Sequence, residues 1–244
     1  MSERLQERPT AKELSEYQAW LFDTDGTTAD TSETAIAVVK EIICIVNPDF
    51  DLNFSHNDVN TWAYIEDKFI EAGLTENDAR LTAIAIWNYT DVLMNAKPIK
   101  GAPELVNYLY RQGKDNFSAT SRPDIGNIKE ITKNWIYKEL KYIQDVFVNP
   151  SDSNVKGPAF KADKLIELAE KYGSAVLVED FPGHVKEILK VIRESGKDLK
   201  INIILLPYAK IEVPEDLASD PMVTVMYRDA EQGIGAIQEV LMTA

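Results

Sequence analysis

Past residue 17 the chain alternates two hydrophobic periods. Short apolar, β-rich runs occur at QAWLFD (18–23), DNFSATS (115–121), IQDVFV (143–148), SAVLVED (174–180) and KINIILLP (200–207), with a weaker one at MVTVMY (222–227). Between most of them lie segments whose apolar residues recur at helical spacing, such as PELVNYLYRQ, IKEITKNWIYKEL, ADKLIELAEKY and HVKEILKVIRES. Gly113, Gly173 and Gly196 stand where helices should end, since a left-handed residue lets the chain turn back toward the next strand. Strand–helix alternation of this kind builds a parallel sheet covered by helices on both faces. The expected fold class is therefore α/β, a Rossmann-like three-layer αβα core.

Residues 31–100 break the alternation. No strand run appears there, and amphipathic helical patterns follow one another. Asp30 with Glu33 opens SETAIAVVKEIICIV as a capping box, and Thr75 with Asp78 opens the stretch running through ARLTAIAIWNYTDVLM. The apolar positions Trp62, Ile65, Phe69, Ile70, Ile84 and Trp87 recur at helical spacing, which reads as a core and not as a binding box. With no repeat and no Ser/Gly-rich linker, the insert interrupts one domain: residues 1–17 form an N-terminal extension, 18–30 and 97–244 the α/β core, and 31–96 the helical insert.

Charge narrows the function classes. The 244 residues carry 26 Lys and Arg against 40 Asp and Glu, a formal net charge of −14. Such a field repels polyanions and disfavours a nucleic-acid polymer as partner, so none is expected. The single cysteine, Cys44, has no internal partner, and no Cys/His cluster suits structural zinc, so a reducing, cytoplasmic setting is expected. The charged stretch MSERLQERPTAKELSEY lacks the apolar core of a signal peptide and reads as a mobile or surface-lying extension. No apolar run approaches the roughly 20 residues that span a bilayer, so no membrane partner is expected.

Four short motifs could carry chemistry. In AWLFDTDGTTADTSE an apolar strand ends in Asp23 and Asp25, two apart and pointing the same way if the strand persists, which suits a divalent cation; a solvated acidic turn is the alternative. A helix-loop-helix calcium loop fails, because its sixth and twelfth positions fall on Thr28 and Thr34 instead of Gly and Glu. At FSATSRP a strand reaches Thr120, Ser121 and Arg122 before a helix, which offers either an anion seat or simple capping. At SAVLVEDFPGH, Glu179 and Asp180 adjoin at a strand end and repel unless a cation compensates them. The helix KADKLIELAEKYG offers Lys161 or Lys164, as a neutralising cation or as solvated side chains. His56 and His184 lie far apart in sequence and read as surface or capping residues. Ligands in parallel α/β sheets bind beyond the carboxyl ends of the strands, where all four motifs would converge.

This ordered set resembles the haloacid dehalogenase superfamily over about residues 18–30 and 100–210. The resemblance implies that Asp23 is a nucleophile forming an aspartyl-phosphate and Asp25 a general acid/base. It implies that Thr120, with Ser121 and Arg122, holds the transferring phosphoryl group, and that Lys161, with Lys164 as alternative, is the third-motif lysine. Asp23, Asp25, Glu179 and Asp180 would hold Mg²⁺. Phe181 departs from the Ser or Thr that often follows the acidic pair. Retention of Asp25 favours phosphoryl chemistry, since the dehalogenase branch lacks the second aspartate. The helical insert matches the position of a cap that closes over small substrates, with hinges near 28–32 and 97–101. The expected function is thus a Mg²⁺-dependent phosphatase acting on a small phosphorylated metabolite. A sugar phosphomutase with a similar cap and a catalytically idle phosphate-binding protein are the alternatives.

Overall fold

The computed structural model describes residues 10–59, 63–150, 156–207, 211–227 and 233–243. Its centre is a six-stranded sheet built from β1 (Ala19–Asp23), β4 (Asp115–Pro123), β5 (Asp145–Asn149), β6 (Ala175–Glu179), β7 (Ile201–Leu205) and β8 (Val223–Val225). The strands lie in the order β5-β4-β1-β6-β7-β8, and every pairing is parallel. All six expected strands are present. The chain runs outward from β1 through β4 to β5, then crosses back to β1's other side through β6, so the sheet's switch point lies at the carboxyl end of β1.

Alternation along the central strands divides the interior in two. Trp20 and Phe22 of β1 and Val176 and Val178 of β6 point to one face, and Ala19, Leu21, Ala175 and Leu177 to the other. The first face is covered by α6 (Ala102–Arg111), α7 (Ile128–Glu139) and α11 (Gly235–Met242), the second by α8 (Gly157–Tyr172) and α9 (Pro182–Glu194). These are the three layers expected from the sequence. Both central strands are fully buried, which is why they read as unbroken apolar runs. Positive φ angles at Gly113, Gly173 and Gly196 make the turns back into the sheet.

One expectation fails near the start. Residues 11–16 form α1, opened by a reciprocal capping box between Thr10 and Glu13. Its Leu14, together with Tyr17, is buried in the same core as Trp20 and Ile237. Residues 10–17 are therefore part of the core packing and not a surface-lying extension. Leu14 on the helix and Tyr17 just past its end are enough to dock it.

The helical insert contains α2 (Thr31–Val46), α3 (Tyr64–Glu71), α4 (Glu76–Trp87) and α5 (Thr90–Met94), with a 3-10 turn at His56–Asp58. Asp30 caps α2 and Thr75 caps α4 through the expected backbone amides of Glu33 and Asp78. The insert has its own apolar cluster, including Ile36, Val39, Ile43, Ile65, Phe69 and Ile86. A two-stranded antiparallel strap, β2 (Ala29–Asp30) against β3 (Lys97–Pro98), joins its two ends at the positions read as hinges. Trp62 lies outside the described residues. No described helix is long and apolar enough to cross a membrane.

Because the insert's apolar cluster is separate from the sheet's, the two should loosen separately. Phe69→Ala, which removes a fully buried ring at a cost of about 3–5 kcal/mol, should raise hydrogen exchange across 64–87 while amides of β1 and β6 keep their protection. Equal loss of protection in β1 would contradict this.

Candidate active site

At the carboxyl end of β1 the chain leaves the strand through a tight turn. Thr28 and Ala29 amides donate to the Thr24 carbonyl at 3.0 and 2.8 Å, and the Thr28 hydroxyl donates to the Asp23 carbonyl at 2.9 Å. Gly26 sits in this turn with φ +77°. A methyl group there would stand 2.4 Å from Asp180 Oδ2, so glycine is required both by the backbone and by the approach of that carboxylate. Thr27 donates to Asp180 Oδ1 at 3.3 Å.

The buried centre is an ion bridge. Lys161 Nζ lies 2.6 Å from Asp23 Oδ1 and 2.7 Å from Glu179 Oε2, with the lysine side chain 1% exposed and Glu179 fully buried. Glu179 Oε1 in turn is 3.2 Å from His184 Nδ1. Burial alone would favour neutral lysine, but Asp23 and Glu179 outweigh it and hold Lys161 above the ordinary lysine range. Burial would likewise raise Glu179, but Lys161 and His184 overcome it and hold this carboxyl well below the usual range. Asp23 goes the other way. Burial, aided by repulsion from Glu179, lifts it to about 7 despite Lys161. At Asp23, Lys161 thus does not fully offset burial and Glu179.

Asp25 occupies a different setting. Arg122 Nε donates to both of its oxygens at 3.1 and 2.9 Å, Nη2 adds a bond of 2.7 Å to Oδ1, and the Thr120 hydroxyl donates to Oδ2 at 3.3 Å. Burial pushes Asp25 up, but the guanidinium more than offsets it and holds the carboxyl below its ordinary value. A shift in register between β4 and β5 at Thr120–Pro123 turns the chain so that the Arg122 side chain can reach back to β1.

Most of the sequence-predicted residues converge. Asp23, Asp25, Ser121, Arg122, Lys161 and Asp180 line one cavity of about 260 Å³, with His184 beside them. Asp23, Glu179 and Asp180 each offer a ligand atom within 4.8 Å of the others. The Asp25 carboxylate, expected in the metal set, lies outside that cluster and is bonded by the Arg122 fork. Arg122 itself, expected to face an anion, directs two of its nitrogens to Asp25. Of the two lysines, Lys161 reaches the site, because α8 begins at Gly157 and puts it one turn inside the helix; Lys164 points away and pairs with Glu167.

Two readings from the sequence are overturned. His184 lies in the site, placed by the Pro182–Gly183 start of α9 one turn after the acidic pair, and the motif FPGH is the signal for it. Ile84 and Trp87 do not serve only as core: with Asn88 they form the insert's wall of the cavity. The expected helix through residue 94 breaks at Asn88–Tyr89, where Tyr89 is extended, and this break sets Trp87 and Asn88 facing Asp23 and Asp25. Helical periodicity marks an apolar face without saying whether protein or a cavity lies against it.

No protein-family model matches the chain, and no curated protein matches it. Solved structures do. It is similar to a "Putative Phosphatase" from Clostridium difficile at TM-score 0.63 and 19% identity, over 92% of this chain and 98% of that one. A "predicted phosphatase" from Clostridium acetobutylicum matches at TM-score 0.59 and 18% identity, over 93% and 99%. A haloacid dehalogenase (HAD)-superfamily hydrolase, subfamily IA, from Geobacter sulfurreducens PCA matches at TM-score 0.53 and 16% identity, over 96% and 98%. The fold is that of the HAD superfamily. In the HAD fold seen here, the DTDGT, TSRP, lysine and ED segments stand together at the switch point of the sheet.

The raised Asp23 value sets a test of the site's charge balance. Since the folded value of about 7 exceeds the ordinary 3.8, the fold binds a proton that the unfolded chain has released, and Asp23's contribution to stability declines as pH rises through that interval. In a chelator, the melting temperature of Asp23→Asn relative to the wild type should therefore rise from pH 4 to pH 8.5, on top of a pH-independent cost for losing the Lys161 bond. A relative melting temperature that stays flat or falls over that range would contradict the charge balance.

Proposed function

We propose that the chain is a metal-dependent phosphatase of small phosphate esters, with Asp23 as nucleophile. The observation that carries this reading is the convergence of Asp23, Asp25, Lys161 and Asp180 on one small cavity at the sheet's switch point. Fold likeness to named phosphatases is in keeping with it.

The residues fit a divalent cation. Asp23, Glu179 and Asp180 each offer a carboxylate oxygen within 4.8 Å of the others, and burial beside Glu179 leaves Asp23 raised. Asp23 and Asp180 face the cavity and would hold Mg²⁺, while Glu179 is turned inward onto Lys161 and His184. The cation would supply charge neutralisation between nucleophile and phosphate.

In the proposed reaction an Asp23 carboxylate oxygen attacks phosphorus, an Asp23–phosphoryl bond forms, and the ester P–O bond breaks. The departing alkoxide takes a proton from Asp25. Asp25 then takes a proton from water, the water oxygen bonds to phosphorus, and inorganic phosphate leaves as the Asp23–phosphoryl bond breaks. Lys161 fixes the Asp23 carboxylate in place for the attack. Arg122 orients Asp25, and phosphoryl oxygens entering beside Ser121 would compete for the guanidinium and so loosen the fork when Asp25 must carry a proton. The Ser121 hydroxyl is buried and unpartnered at the cavity, as a phosphoryl seat requires.

Phosphate release from a panel of monoesters, measured with Mg²⁺ and with chelator, checks this. Release should require the metal, Asp23→Asn should abolish it, and Asp25→Asn should lower it by about 10²–10⁴. Full activity of Asp23→Asn would overturn the proposal.

A further inference from the structure

We infer, building on the phosphatase reading, that the ester's alcohol portion is uncharged and apolar, about the size of one ring. The charges show why. Among the described residues lining the cavity the positive side chains are Arg122 and Lys161, with His184 the one further ionisable base. Arg122 is committed to Asp25, Lys161 to Asp23 and Glu179, and His184 bonds Glu179. What they leave must serve the phosphoryl group. A second carboxylate or phosphate on the leaving group would enter an acidic site with no described cation to meet it, at the cost of burying an unpaired charge.

The wall facing the chemistry has the complementary character. The insert contributes Ile84, Trp87 and Asn88 opposite Asp23, and Pro123 closes one side. Ile84 is 47% exposed and presents its side chain to the cavity. A second, narrower cavity of about 40 Å³ shares Asp25, Trp87 and Asp180 with the first. Its apolar lining is Val59, Tyr64, Ile65, Trp87, Phe181 and Ile211. Trp87 borders both spaces, and so does Asp25, the group that would protonate the alcohol. An alcohol leaving past Asp25 meets this apolar lining. Polyhydroxylated groups would find few partners there, chiefly Asn88 and the Thr31 and Ser32 hydroxyls. The main cavity of about 260 Å³ has room for a phosphoryl group and one ring, since benzene alone fits a cavity of roughly 150 Å³. Phe181, the departure from the usual residue after the acidic pair, is accounted for as part of this lining.

The test compares kcat/KM, with Mg²⁺ present, for benzyl phosphate, methyl phosphate, 2-phosphoglycolate, glycerol 3-phosphate and glucose 6-phosphate. All are alkyl esters, so differences report recognition more than leaving-group reactivity. Benzyl phosphate should exceed the anionic and polyhydroxylated esters by at least about tenfold. Trp87→Ala should cost benzyl phosphate several-fold more than methyl phosphate. If Trp87→Ala fails to fold, Asn88→Arg provides the second arm, since an added cation should shift preference toward 2-phosphoglycolate. Phosphate release with 2-phosphoglycolate or glucose 6-phosphate preferred would overturn this inference alone, whereas no metal-dependent release from any ester would overturn the phosphatase reading and this inference together.

Discussion

A lysine buried between two carboxylates governs the site. Lys161 joins β1, through Asp23, to β6, through Glu179, and does so from α8, which covers both strands. Removing one member of a buried ion group leaves the others uncompensated, typically at about 3–5 kcal/mol. The bridge is therefore a structural tie as well as a chemical one. It fixes which Asp23 oxygen is committed to the protein and leaves the rest of that carboxylate toward the cavity. It also separates the acidic pair, since Lys161 and His184 pull Glu179 inward and leave Asp180 at the mouth.

Close approach elsewhere follows from the same demand for proximity. Asp180 can stand against the β1 turn only because Gly26 has no side chain, and Ser121 can lie against the start of α8 only because Gly157 has none. A methyl group at Gly157 would come within 2.3 Å of Ser121 Cβ. Two glycines and one lysine thus draw segments from β1, β4, α8 and β6 into a single cavity. The Arg122 fork on Asp25 adds a fifth connection, from β4 back to the β1 turn.

The sheet is legible in the sequence because its strands are buried on both faces and so appear as apolar runs bounded by glycine turns. Asp23, Lys161 and Asp180 are legible because each follows a strand or begins a helix whose end the pattern locates. Most of the failures share one cause. Sequence spacing gives a residue's position on its element but not its partner across space. Arg122, expected to face an anion, binds Asp25; Asp25, expected in the metal cluster, is held by Arg122; His184, expected at the surface, supports Glu179. Trp87 and Ile84 read as core because a helical stripe looks alike against protein or against a cavity. The break at Asn88–Tyr89, which aims them, has no proline or glycine to announce it. Leu14 and Tyr17 escape notice because so short a helix carries almost no periodic signal.

The net charge of −14 disfavours polymeric anions but leaves room for a small phosphate ester, which in the proposed mechanism would meet a cation held by the site's acids. The most direct measurement is acid quenching during turnover of benzyl phosphate with Mg²⁺, followed by mass spectrometry of the peptide containing residues 19–30. One phosphoryl group on Asp23, absent from the Asp23→Asn variant, is the predicted result. Turnover with no phosphoryl group on that peptide, or with the group on another residue, would contradict the assignment of Asp23 as the nucleophile.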